Sequence, residues 1–210
     1  MIVCFGDSLT AGYQSPTHAN PMGEATPYGR FLKEWLGGRV EIRVSGICGE
    51  LTDEMVNRFS RDVLPHRPSH VIILGGTNDL GWNARPVDIM GNLVKMYESA
   101  WAARIVPVPV TVPSIRPDTE DGGPDAEAWL NRHLSGRNEL NAMIGKYAGI
   151  HELTSIDLFS ATVDPATRLL AAGYSNDGLH LTTAGYRLLA RLLYDQVLSN
   201  VFSPLHGMNP

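Results

Sequence analysis

Short β-branched runs alternate with longer helical patterns along this chain, and that alternation constrains the fold more than any other feature. The runs are residues 1–5, 40–45, 71–74, 104–110 and, more weakly, 152–158. Between and after them, apolar residues recur at helical spacing over 28–36, 52–64, 86–103, 125–147 and 182–198. Strands spaced by helices predict an α/β fold with a central parallel sheet of about five strands and helices on both faces. The last helix carries Tyr186, Leu189, Leu193 and Val197 on one face, with Thr182 or Thr183 as its cap. No internal repeat and no linker divides the chain, so its 210 residues read as a single domain with a substantial core.

Two stretches break the pattern, and both follow the carboxyl ends of strands, where open α/β sheets bind ligands. Residues 14–26 hold Pro16, Pro21 and Gly23 without periodicity. Residues 106–124 concentrate Pro107, Pro109, Pro113, Pro117 and Pro124, with Gly122-Gly123. Proline removes a ladder donor, so the fourth strand must end early or turn those positions toward a bulge or an edge. The length of both stretches favours a pocket lip over plain connections.

Chemistry-bearing residues cluster at the same strand ends. Ser8, in Gly6-Asp7-Ser8-Leu9-Thr10, follows the first apolar run and precedes a helical turn, so its Oγ can project from the bend. Thr10 occupies the place of the second glycine of a Gly-x-Ser-x-Gly elbow, which argues against that elbow but not against serine chemistry. A serine nucleophile needs a base held in one tautomer. Of seven histidines, His180 alone has a distinctive partner, Asp177, three residues earlier across Gly178. Asn78, in Gly75-Gly76-Thr77-Asn78-Asp79, can offer an amide N–H to an oxyanion, and Gly49, in Ile47-Cys48-Gly49-Glu50, a backbone N–H. Each block alone also reads as an ordinary turn or helix start. Their placement at successive strand ends makes them a hydrolase site together.

Block for block, these residues resemble the SGNH hydrolases, the GDSL esterase/lipase family, over nearly the whole chain. The resemblance implies a three-layer flavodoxin-like fold, no cofactor and no metal. It implies a catalytic set of Ser8, Asp177 and His180, with an oxyanion hole from the Ser8 N–H, the Gly49 N–H and the Asn78 amide. The second block departs from the family, because Val44-Ser45-Gly46 stands where an asparagine often precedes the glycine. Gly46 therefore competes with Gly49 as the donor, and the Ile-x-Gly-acidic spacing favours Gly49. Asp79 is expected to fix its loop rather than to act in catalysis.

The reading is a metal-independent serine ester hydrolase acting through an acyl-enzyme on a small-molecule ester. An acyltransferase or thioesterase would use the same site; a non-catalytic anion-binding module would not need the Asp177/His180 pair. Tyr13 and Trp82 can form an aromatic rim for a sugar or aryl group, or simply pack. No long amphipathic lid is evident, which favours short acyl chains. Net charge is −5 without a basic block, against nucleic acid as a partner. No apolar run reaches the roughly 20 residues of a membrane span. Met1-Ile2-Val3-Cys4-Phe5 passes into Gly6 without a basic region or cleavage site, so a cytoplasmic location is expected. Cys4 and Cys48 read as buried free thiols. Oligomeric state is not legible from one chain.

Overall fold

The strand pattern closes into one sheet in the computed structural model, which describes residues 1–18, 20–117 and 124–202. Four parallel strands, β1 (Ile2–Gly6), β4 (Ile42–Gly46), β5 (His70–Leu74) and β6 (Val106–Pro109), lie in the order β4-β1-β5-β6. Between β1 and β4, β2 (Tyr13–Gln14) and β3 (Glu24–Ala25) form a small antiparallel pair inside the irregular 14–26 stretch. The helices are α1 (Ser8–Ala11), α2 (Tyr28–Trp35), α3 (Thr52–Asp62), α4 (Thr77–Gly81), α5 (Pro86–Ala102), α6 (Pro124–Ile150), α7 (Leu158–Thr162), α8 (Thr183–Leu193) and α9 (Ser199–Phe202).

Strands β1 and β5 are buried along their full length, as a central parallel strand covered on both faces must be. The period-2 alternation of β1 sends Ile2 and Cys4 to one face and Val3 and Phe5 to the other. Ile2 and Cys4 pack with Tyr28, Leu32, Tyr186 and Leu189 of α2 and α8. Val3 and Phe5 pack with Met55, Phe59, Leu93 and Leu140 of α3, α5 and α6. Three layers result, with the strand order of a flavodoxin-like fold.

The prolines set the far edge of the sheet, and there the count falls short of five strands. On its inner side β6 donates from Val106 to Ser69 O, at 3.0 Å, and the chain donates again from Val110 to Ile73 O, at 3.2 Å. Pro107 and Pro109 are out of phase with those donors, so their missing N–H groups lie on the outer side. A fifth strand docking there finds few donors. Among the described residues only Ile156 pairs, donating to Pro109 O and accepting from Thr111 N, both at 2.9 Å. The weak run at 152–158 is thereby reduced to a parallel bridge, Val110 to Ile156, beside a four-stranded sheet.

The other departures are small. Thr182 caps α8, its hydroxyl accepting from Gly185 N, but the predicted 182–198 helix loosens into a π turn over Tyr194–Leu198. Cys4 is buried as expected, whereas Cys48 is exposed. Of the 106–124 stretch, Gly122-Gly123 lies outside the described residues. Among the described residues no helix is long and apolar enough to cross a membrane.

Candidate active site

The turns after β1, β4 and β5 and the loop before α8 converge at the carboxyl edge of the sheet. A cleft of about 280 Å³ there is lined by Ser8, Tyr13, Cys48, Gly49, Asn78, Leu179 and His180. Ser8, Gly49, Asn78 and His180, drawn from four separate blocks of the sequence, thus share one opening.

Ser8 is the first residue of α1, and the Asp7 side chain caps that helix by accepting from Leu9 N at 2.9 Å. The hydroxyl-bearing side chain is nearly enclosed, at 5% exposure. Behind it, Asp7 is wholly buried and its Oδ2 has no hydrogen-bond partner. Burial pushes the Asp7 carboxyl up to about 7; the Leu9 N–H and His180 pull the other way, while Asp79 and Glu50 add to the rise.

The Asp177 carboxylate is the most heavily solvated by protein of the acidic groups in the site. Its Oδ2 accepts from His180 Nδ1 at 2.7 Å and from the Ser15 hydroxyl, and its Oδ1 accepts from Leu179 N at 2.9 Å and His180 N at 2.7 Å. Partial burial raises its pKa, but these hydrogen bonds outweigh burial and hold the carboxyl below the usual range. A carboxylate only accepts, so Nδ1 of His180 carries a proton, and in the neutral imidazole Nε2 is the nitrogen that bears the lone pair. The ring is also braced by Tyr13, edge-on with centroids 4.6 Å apart. Tyr13 is in turn fixed by its own carbonyl, which accepts from the Tyr186 hydroxyl at 2.6 Å.

The two glycines near the second strand separate by surroundings. A Cβ on Gly46 would lie 2.3 Å from Ala11 N and 2.8 Å from Asp7 O, so this glycine permits close packing of α1 on β4. Gly49 has φ +79°, meets nothing within 4 Å of a would-be Cβ, and lines the cleft. Asn78 donates one amide N–H to Glu50 O at 2.9 Å. Asp79 turns away from the cleft and accepts from Thr52 N, at 3.1 Å to each oxygen, and from Thr52 Oγ1 at 2.6 Å. It ties α4 to the start of α3, as its reading as a loop anchor requires.

Several supports had no signature in the sequence. Buried Arg58 reaches both oxygens of buried Glu50 at 2.5 Å, Asp62 at 3.0 Å, and the carbonyls of Gly6 at 3.0 Å and Ser45 at 3.2 Å. It thereby clamps the ends of β1 and β4 to the turn that carries Gly49. Gln14 bridges Thr26 and Thr183, joining the 14–26 stretch to α8. Ser15 holds Asp177 from the same stretch.

A larger cavity of about 540 Å³ abuts the cleft and shares Asn78 and Leu179 with it. Trp82 lies in this second cavity, 79% exposed, and not beside Ser8. Ile115, Arg116 and Pro117 of the proline-rich stretch form part of its wall, which makes that stretch a lip. Among the described residues no group of three or more His, Cys, Asp or Glu is placed to hold a metal ion.

A flavodoxin-like sheet bearing these blocks in this order defines the SGNH hydrolase superfamily. Within it the chain belongs to the GDSL-like lipase/acylhydrolase family, whose model matches residues 4–188. Among solved structures, the lipase/acylhydrolase from Enterococcus faecalis is similar with TM-score 0.71 and 27% identity, over 95% of each chain. A carbohydrate acetylesterase from Sinorhizobium meliloti is similar with TM-score 0.73 and 19% identity, over 95% of this chain and 98% of that one. An uncharacterised lipoprotein of Bacillus subtilis (strain 168), YqeF, is 36% identical over 78 residues; the match spans 37% of this chain and 31% of that relative.

Proposed function

We propose that this protein is a serine ester hydrolase that cleaves short-chain carboxylic esters through an acyl-enzyme on Ser8. The observation that carries the reading is the 2.7 Å bond from His180 Nδ1 to Asp177, made by a histidine that lines the same cleft as Ser8. That bond directs the free Nε2 lone pair to the role of base.

In the forward step Ser8 Oγ attacks the ester carbonyl and its proton passes to His180 Nε2. The imidazolium so formed is stabilised by Asp177, which its hydrogen-bond donors keep ionised. Charge developing on the carbonyl oxygen is met by the Ser8 N–H, the Gly49 N–H and the Asn78 amide, whose anchor on Glu50 O limits reorganisation. Collapse of the tetrahedral intermediate expels the alcohol, protonated by His180. Water then attacks the acyl-enzyme with His180 again as base, and Ser8 is restored.

The modest cleft around Ser8, about 280 Å³, supports a short acyl group. The larger cavity beside it supports a bulkier alcohol portion, as in an acetylated sugar or an aryl ester. Similarity to a carbohydrate acetylesterase points the same way. The unpaired thiols of Cys4 and Cys48 suit the reducing cytoplasm in which we place the protein.

Because nucleophile and base act as a unit, Ser8→Ala and His180→Ala should each lower kcat on an aryl acetate by roughly 10⁴-fold or more, and the double variant little further. Steady-state kinetics with circular dichroism as folding control makes the test. Additive losses, or near-normal turnover in either single variant, would refute the shared step.

A further inference from the structure

The second cavity contains a charge that the fold does not explain. Arg137, on α6, is 1% exposed, and its hydrogen bond is from Nη1 to His133 O, one turn back, at 3.3 Å. Its Nε has no partner, and no carboxylate among the described residues pairs with it. Burial lowers the guanidinium to about 10, so it remains charged at neutral pH. A buried guanidinium without an anion is unfavourable, and a helix that served only to pack would carry an apolar side chain at that position.

Its described neighbours in the cavity lack a surplus anion too. Arg116 is held by two carbonyls, Leu170 O at 3.2 Å and Ser175 O at 2.9 Å. Among the described residues Asp177 is the one carboxylate on the cavity wall, and its oxygens are occupied by the hydrogen bonds of the site. His133, 3% exposed, bonds Trp129 O through Nδ1 at 2.8 Å and leaves a buried Nε2 without a partner. Trp129, stacked on His133 with centroids 3.9 Å apart, and Trp82 supply aromatic surface, 46% and 79% exposed. Among the described residues the cavity therefore offers two guanidinium groups against one committed carboxylate, with an apolar wall.

We propose that this cavity binds a carboxylate carried on a ring-bearing alcohol portion of the ester, with Arg137 as the specificity-determining residue. The inference rests on the ester hydrolase reading above and names its substrate class: short-chain esters of an anionic alcohol. Continuity supports the assignment, since Asn78 and Leu179 border both openings. A molecule whose carbonyl lies at Ser8 extends into the larger cavity without leaving the protein surface. A carboxylate there accepts from the unpartnered Arg137 donors, and the ring rests on the tryptophans.

The test compares para-acetoxybenzoate with its neutral isostere para-acetoxybenzamide. Wild type should show kcat/KM about tenfold or more higher for the anion, the range of a charge-assisted contact. Arg137→Met should abolish the preference while changing kcat/KM for the neutral ester less than about threefold, and Arg137→Lys should retain part of it. Arg137→Met should also melt no lower than wild type, because it removes an unpaired buried charge. Calorimetry of wild type with para-hydroxybenzoate and para-hydroxybenzamide needs no variant and no turnover, and should show tighter binding of the anion. Equal kcat/KM for the two esters in wild type, equal binding of the two alcohols, or a preference undiminished in folded Arg137→Met overturns the proposal. Ser8-dependent hydrolysis of both esters without discrimination would overturn this inference alone, whereas no hydrolysis of either would overturn the reading beneath it.

Discussion

Arg58 is the residue whose removal should reveal most about how the site is held. In the Arg58→Met variant, Glu50 is left as a buried carboxylate, 6% exposed, with its paired cation gone. Breaking a buried ion pair from one side costs about 3–5 kcal/mol, mainly the penalty of the uncompensated charge. The methionine recovers some packing against Phe5, whose ring lies 4.1 Å beneath the guanidinium. For a chain of this size each kcal/mol moves Tm by about 2–4 °C, so a loss of roughly 6–20 °C is expected. Thermal and urea unfolding followed by circular dichroism measure it. Adding Glu50→Gln should restore part of the loss, with a coupling of roughly 1–3 kcal/mol in the double-mutant cycle. Activity should fall as well, because Glu50 O anchors the Asn78 amide. A Tm within about 2 °C of wild type would refute the reasoning, since the clamp would then carry no net energy.

Two further outcomes follow from the site. Asn78→Ala should lower kcat by about 10²–10³-fold with a smaller change in KM, measured on an aryl acetate; a loss confined to KM would mean that Asn78 binds ground and transition states alike. Asp7→Asn should gain stability relative to wild type as pH rises. Below the unfolded value of 3.8 the Asp7 carboxyl is protonated in both states; between 3.8 and about 7 only the unfolded state ionises, so wild type loses stability across that window and no further above it. A shift of that size corresponds to about 4 kcal/mol at most. Urea unfolding at intervals across the window gives the difference, and parallel curves for the two proteins would contradict the assignment.

The candidate site was legible because each of its proposed residues sits in a short local block: Gly-Asp-Ser, Gly-x-Asn-Asp and Asp-x-x-His each follow or precede a regular element. The central strands were legible for the same reason, as continuous apolar runs. What was not legible depends on contacts far apart in the chain. Ser15 and Asp177 are 162 residues apart, and nothing local to Ser15 marks it as a support for a carboxylate. The Arg58–Glu50 pair spans a turn and has no helical spacing. The fifth strand failed through its partner rather than its own residues: the run at 152–158 meets an edge stripped of donors by Pro107 and Pro109. Cys48 read as buried because it follows an apolar strand, but the turn carrying it opens onto the cleft. Trp82, close to Asn78 in sequence, lines the larger cavity that shares Asn78, while Tyr13 lines the cleft at Ser8, so the two rings stand in adjoining openings, a separation that sequence proximity does not reveal.

The central claim is that Ser8 is a nucleophile activated by His180, and covalent capture tests it most directly. Intact-mass and peptide mass spectrometry after treatment with a serine-directed aryl phosphonate should show a single adduct on the peptide that contains Ser8. The adduct should form far more slowly in His180→Ala and be absent from Ser8→Ala, with both variants folded by circular dichroism. An unlabelled wild-type protein, or labelling that persists at full rate in His180→Ala or resides on another side chain such as Cys48, would contradict the mechanism.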